Sequence, residues 1–444
     1  MGICTIKNNT GFDHRIHQKK MKMRKMKIIV IVFISVFSIT SAGAQVFSLS
    51  VAESRARENY PLIKQRGLIE KTGMLTVSNL SKGYLPQLTA GAQGTYQSDV
   101  TKITIPNAPF KVEPLSKDQY KINLDINQLI YDGGMIRNQT EVARLQSSVE
   151  DNRLEVEMFK LRERVNQLYC SILYMDAMIA QIEMVKTDIG NGIKKVSAQL
   201  EGGIAFRSSL NVLKAEDLKT EQRKIELQAS RMGMLQVLGV LTDTVLNENS
   251  RLEIPVLGEV DPSSMLRPEM ELFKSQIALQ GKQYDLIRSK GSPKASAFVQ
   301  GGYGRPGLNM LQNTFDWYGI GGIRFNWMIG NLYTSANEKQ MAAIALKSIK
   351  LQEETFLKNS SAQVAQQLIE ISKLKKLMMT DKEIIALRES VKTAAAAQLE
   401  AGVITSNDYL REVNAEDQSR QMLTAHEIQL VQAEIQLKLI TGKK

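Results

Sequence analysis

Apolar residues recur at helical spacing through a stretch from Met135 to about Ala198 that has no proline and little glycine. Leu154, Leu161, Leu168, Met175 and Ile182 repeat every seven residues, and Met158, Val165, Ile172 and Ile179 form a second seven-residue series between them. Such a seam predicts a long helix in left-handed coiled packing against neighbours. About 64 residues at about 1.5 Å each give a rod of roughly 95 Å. A second rod is predicted from about Ser335 to Gln398.

Elsewhere the period falls to two. Leu88, Ala90, Ala92, Gly94 and Tyr96 alternate with Thr89, Gly91, Gln93, Thr95 and Gln97, and Tyr120, Ile122, Leu124 and Ile126 alternate with Lys121, Asn123, Asp125 and Asn127. Later come Ala295, Ala297, Val299, Gly301 and Tyr303, then Tyr318 to Trp327 with Ile323, Phe325 and Trp327 on one face. Alternation of this kind predicts strands with one apolar and one polar face. The expected hairpins cover about 87–131, with Pro106, Pro109 and Pro114 in the loop, and about 294–329, with Arg305, Pro306 and Gly307. Strands of about 10 residues are long enough to cross a bilayer when tilted.

The pattern is written twice. Gln199-Leu200-Glu201-Gly202-Gly203-Ile204 returns as Gln398-Leu399-Glu400-Ala401-Gly402-Val403, and Ala215-Glu216-Asp217 returns as Ala415-Glu416-Asp417. Glycine after a helical run is a stop, because it accepts the left-handed conformation at little cost. Ser208, Ser209, Ser406, Asn407 and Asp408 are candidates to cap a returning helix. Each copy is therefore expected to be the tip of a helical hairpin. An offset of 207 relates Pro61, Pro86, Ala90, Gln93, Gly94 and Tyr96 to Pro268, Pro293, Ala297, Gln300, Gly301 and Tyr303, so the repeat starts before the helices. The ten prolines leave 115–254 and 307–444 free, where long helices fit without the roughly 3 kcal/mol cost of an interior proline.

Charge and composition narrow the class. The formal charge of +11 is concentrated at the front, where residues 1–44 hold eight of the 57 Lys and Arg and one of the 46 acids, leaving 49 minus 45, or +4, for the rest. That is no nucleic-acid footprint. The order Lys19, Lys20, Lys22, Arg24, Lys25 and Lys27, apolar Ile28 to Ile39, and Ala42-Gly43-Ala44 reads as a secretory signal peptide over 1–44, with Met21 an alternative start and an uncleaved anchor the rival reading. No other stretch approaches 18 consecutive apolar residues, so no transmembrane helix is expected after the leader. Past the leader only Cys170 and His426 remain of their kinds. That leaves no internal disulfide, no Cys or His metal cluster and no catalytic residue, and no cofactor is called for. Cys170 is expected to be packed, and His426 to be a surface or packed helix residue.

Aromatic residues near strand ends (Tyr96, Tyr120, Tyr131, Trp317, Tyr318, Trp327), the leader and the absence of spanning helices together fit an outer-membrane barrel. Four strands are too few to close one, so several chains must share it. At this point the chain resembles the TolC-like outer membrane efflux family over essentially all of 45–444. The echoes are Leu49, Ala52, Ala56, Asn59 and Pro61, then Leu129-Ile130-Tyr131-Asp132-Gly133-Gly134, then Val212-Leu213-Lys214-Ala215 and its counterparts Leu410 and Ala415. The fold class implied is a mixed α and β membrane protein: long α-helical hairpins forming an α-barrel, a four-strand share of a common transmembrane β-barrel, an internal two-fold repeat, and a homotrimer. The two repeats would occupy 45–254 and 255–444.

The resemblance also implies a passive, non-enzymatic exit duct of a tripartite efflux or type I secretion system. Its partners would be outer membrane lipid, a periplasmic adaptor (membrane fusion) protein and an inner-membrane pump of RND or ABC type. Gly203, Ile204, Gly402 and Val403 match the family's adaptor-docking tips, although the preceding Val is replaced by Gly202 and Ala401. Asp408 matches a periplasmic gate acid, and Arg411 stands where a second acid can occur. Asp408 reads equally as a helix cap. A structural or adhesive exported coiled-coil protein is the alternative function.

Overall fold

The structure is a computed structural model describing residue 2 and residues 46–102, 114–256, 258 and 261–442. The expected leader and the loop prolines Pro106 and Pro109 lie outside the described residues. The chain runs β1 (Val46–Phe47), α1 (Leu49–Asn59), α2 (Gln65–Ser81), β2 (Gln87–Tyr96), β3 (Asp118–Tyr131), α3 (Met135–Glu201), α4 (Arg207–Thr242), β4 (Arg251–Leu252), α5 (Pro268–Lys290), β5 (Lys294–Arg305), β6 (Asp316–Asn326), α6 (Asn331–Glu400) and α7 (Ser406–Thr441).

The 67 residues of α3 and the 70 of α6 make rods of about 100 Å. No returning helix is as long. Instead α4 ends beside α1, where Asn59 donates from Nδ2 to the Thr242 carbonyl (3.2 Å), and α2 continues along α3 beyond a turn that begins at Pro61. Likewise α7 ends where α5 begins, with Leu266 donating its N–H to the Thr441 carbonyl (2.8 Å). Pairs of shorter helices stacked end to end thus flank each rod.

The seam on α3 holds at Leu154, Met158, Leu161, Val165, Ile172 and Ile182, which are buried. It does not stay on Leu168, Met175 and Ile179, which are only half-buried, because the helix packs against α4, α5 and α7 on different faces along its length. Tyr169 and Met178 carry the buried stripe there instead. Tyr169 Oη accepts from the Glu253 N–H (2.9 Å) and lies 2.7 Å from the Phe47 carbonyl, tying the parallel β1–β4 pair to the rods. Cys170 is buried as expected, which pushes its thiol up to about 11. By composition, α3 contains an 18-residue window apolar enough to cross a membrane. Nearly half of that window, 44%, is buried within the chain, so its apolar content serves packing.

Both expected hairpins form, and they join through β3 and β5 into one antiparallel sheet of order β2-β3-β5-β6. The register lines up rows such as Ala92, Ile122, Tyr303 and Trp317, or Leu88, Ile126, Val299 and Gly321, so that one apolar face crosses all four strands. The alternate rows hold Gln93, Lys121, Gly304 and Asp316, and Thr89, Asp125, Gln300 and Ile320. Side chains alternate, so the two faces separate apolar from mainly polar groups. Tyr318 falls on the mainly polar face, against Gly302, where a Cβ would strike its ring.

The strand exit that reads Tyr131-Asp132-Gly133-Gly134 now has a physical cause. Asp132 is buried and its carboxylate accepts the N–H groups of Gly134 (2.8 Å) and Ile136 (2.7 Å), satisfying donors at the start of α3. Gly133 and Gly134 take φ of 69° and 81° to make the corner.

Candidate functional site: the helix tips

The two rods end in the same way. Gly203 and Gly402 have φ of 75° and 70°. Gly203 donates to the Leu200 carbonyl and Ile204 to that of Gln199 (2.8 Å), while Gly402 donates to Leu399 and Val403 to Gln398 (2.9 Å). This is the Schellman arrangement, which satisfies helix-end carbonyls through a left-handed glycine. The residue after the glycine usually packs back on the helix, yet Ile204 is 73% exposed and Val403 72%. Phe206, which the sequence reading did not single out, is 79% exposed beside them. Three large apolar side chains thus stand in solvent at one end of the helices.

The tips are joined to each other. Gln199 donates from Nε2 to the carbonyls of Leu399 (2.6 Å) and Glu400 (3.0 Å), and Lys195 pairs with Glu400 at 2.8 Å. Just above them Val185, Ile189, Val196, Leu210, Leu213, Leu399, Tyr409 and Val413 form a core shared by α3, α4, α6 and α7. Gly192 admits the Tyr409 ring, since a Cβ there would lie 2.7 Å from it.

The start of α7 settles how Asp408 is held. Thr405 is the N-cap: its Oγ1 accepts from the Asp408 N–H (3.2 Å), and the Asp408 carboxylate accepts the Thr405 N–H (3.1 Å), a capping box. The Thr405 hydroxyl also donates to the Asp408 carboxylate (2.7 Å), and this bond, then the one from the Thr405 N–H, with the nearby positive charge of Arg411, hold the Asp408 carboxyl below its ordinary value. Arg411 itself reaches Glu412 (3.1 Å). Four cap candidates are corrected: Ser208 and Ser209 lie inside α4, whose N-cap is Phe206 and makes no side-chain cap bond. Ser406 and Asn407 are likewise helical.

Behind the cap lies a polar clasp absent from the sequence reading. Lys392 on α6 pairs with Asp188 on α3 (2.7 Å) and with Glu416 on α7 (3.4 Å). Glu416 also accepts from Arg420. Burial lowers the Lys392 pKa, but the hydrogen bond and charge of Asp188, with Glu416, outweigh it, and the net direction is upward. Tyr409 donates to the Asp188 carbonyl (3.0 Å), and burial pushes its phenol up to about 12. Beside this, Asp417 accepts from Gln181 (3.1 Å), and burial raises its carboxyl. Higher on the rods, His426 Nδ1 meets Asp381 Oδ2 at 2.6 Å between α6 and α7, with Asp381 buried and His426 half-buried.

Glu416 and Asp417 were visible in sequence as the repeated triplet, but Lys392, which pairs with Glu416, and Gln181, which donates to Asp417, lie on other helices, and no local pattern marks either. Gly203, Ile204, Gly402, Val403, Asp408 and Arg411 are all brought to the same end of the molecule, as the repeat predicts.

No protein-family model matches the chain, and no curated protein matches it. Solved structures do. The outer-membrane channel OprN superposes with TM-score 0.68 at 13% identity, covering 89% of this chain and 90% of that one. CusC, whose structures are described in terms of transmembrane channel formation, gives 0.67 at 16% over 91% and 95%. The outer membrane protein VceC of Vibrio cholerae gives 0.65 at 13% over 89% and 96%. The chain therefore has the fold of the TolC-like outer-membrane channels, across nearly its whole length.

Proposed function

We propose that this chain is one subunit of a homotrimeric exit duct located in the outer membrane and reaching into the periplasm. Each chain supplies four strands, so three supply twelve, above the roughly eight needed to enclose a space. The observation that carries the reading is the apolar face running across β2, β3, β5 and β6 while both edge strands, β2 and β6, lack a partner among the described residues. Lipid covers such a face, and neighbouring copies cover such edges. The residues assigned to 45–254 and 255–444 act as duplicated halves, each giving a hairpin, a rod and a tip.

Cargo passes without covalent chemistry. The exposed Ile204, Phe206 and Val403 around Gly203 and Gly402 receive a periplasmic adaptor, which links the duct to an inner-membrane pump of RND or ABC type for efflux or type I secretion. Asp408 and Arg411 form the charged rim of the closed end, and the Lys392–Asp188 clasp keeps α6 and α7 against α3. The test is membrane fractionation followed by size analysis in detergent: an outer-membrane species of three chains is expected. A protein recovered as a soluble species would sink the reading and favour the structural coiled-coil alternative.

A further inference from the structure

The mainly polar face of the sheet carries its charges in separate rows. Lys121 and Asp316 share one row near the far end of the strands, and Asp125 lies in a middle row, bonded by Gln300 (2.6 Å) and Asn123. The row nearest the helices is different. Lys294 stands opposite Asn326, and Arg324 stands opposite Ser296, so the two cations are diagonal neighbours on one face, their Cβ atoms somewhat under about 8 Å apart. Among the described residues neither makes an ion pair. Arg324 is instead held over the Phe298 ring, 4.5 Å from its centroid. Lys290, on the end of α5, adds a third cation only loosely matched by Glu338 (3.8 Å). All three line one pocket of about 400 Å³ with Gln87, Asn127 and Ser296, where the sheet meets the helices.

The geometry points to a basic belt that selects anionic cargo. The inference rests on the channel reading above: if the apolar face meets lipid, the opposite face lines the water-filled interior, and each of three chains contributes Lys294 and Arg324 to a ring at the junction of barrel and tunnel. Rings of cationic side chains in a pore favour anions, and walls of low dielectric focus their field. Neither cation is neutralised by an acid in its own row, and the amide and hydroxyl groups of Gln87, Asn127 and Ser296 supply donors suited to carboxylate or phosphate groups. The anchoring of Arg324 on Phe298 fixes one guanidinium in place, as a selectivity element requires.

The experiment is reversal potential across planar bilayers holding the purified full-length protein in a potassium chloride gradient. Wild type is expected to prefer chloride. Lys294→Gln with Arg324→Gln should lower the chloride-to-potassium permeability ratio by about tenfold, the low end of what a focused field achieves. Lys294→Arg with Arg324→Lys should keep the ratio, and Lys282→Gln, which removes a charge on α5 paired with Asp285, should leave it unchanged. A ratio within twofold of wild type in the neutralised variant, or an equal shift from Lys282→Gln, would overturn the belt while leaving the channel reading intact. Failure of the wild type to form pores would instead count against the channel reading itself. Should the double variant fail to assemble, the single variants Lys294→Gln and Arg324→Gln carry the test, each expected to give part of the shift.

Discussion

Lys392→Gln tests whether the clasp above the tips holds the end of the duct closed. The amide keeps most of the side-chain length but leaves Asp188 without its cation, whereas Glu416 retains Arg420. The Lys392 side chain is 16% exposed and that of Asp188 27%, so the pair lies between a buried one, whose breakage costs about 3–5 kcal/mol, and a surface one worth at most about 1 kcal/mol. A loss of roughly 1–3 kcal/mol is therefore expected. If the α3–α6 bond exists only in the closed arrangement, about 1.4 kcal/mol of that loss shifts the equilibrium about tenfold towards opening. The assay is single-channel recording, read together with denaturant unfolding of the same variant. Asp188→Asn should open the channel to a similar degree, and the two changes combined should add little, since they remove one interaction. The charge-swapped pair Asp188→Lys with Lys392→Asp should restore part of the closure. Lower stability with unchanged conductance in all of these would show that the clasp only supports the fold, and the gating argument would be wrong.

The remaining predictions concern the tip surface and its buried acid. Ile204→Asp and Val403→Asp alter exposed side chains, so each should change melting temperature little, within about 0.5 kcal/mol, while abolishing efflux in cells; normal drug resistance would remove the tips as a docking surface. Gly402→Trp is a poorer probe, because φ of 70° strains any side chain there. For Asp417, burial comes first among the causes and raises the folded pKa above the unfolded one. Its relative stabilisation is thus present below the ordinary carboxylate value, about 3.9, and is lost as pH rises through the raised folded value. Asp417→Asn, still able to accept from Gln181, should melt at or above wild type at pH 7 and lose that component of the pH dependence. A clear fall in melting temperature would show instead that the charge is needed opposite Arg223, 3.8 Å away. Asp408 has the opposite sign: its lowered pKa gives stability present above the ordinary value and lost only as pH falls through the lowered one, so the capping box stays intact near neutrality.

Sequence and structure agree where the signal is local. Proline-free runs, the switch to period two and a glycine after each rod are all short-range facts, and they locate α3, α6, the four long strands and both tips. What escaped the sequence joins distant residues or lacks a period. The β1–β4 pair is only two residues per strand, too short to alternate. End-to-end stacking of α4 with α1 and α2, and of α7 with α5, depends on where chain ends meet in space, which no helical pattern encodes. The clasp between Asp188 and Lys392 spans 204 residues. The same limit explains the tips. Their sequences are near copies, so equal behaviour is the natural expectation, yet Thr405 and Asp408 lock the start of α7 in a capping box while Phe206 leaves α4 without a side-chain cap. The first tip is also tied to the second, through Gln199 on the Leu399 and Glu400 carbonyls and Lys195 on Glu400. On the gating proposal, parting the two hairpins would break those bonds, so the start of the uncapped α4 is expected to lose hydrogen-exchange protection as the end opens; unchanged protection would count against it.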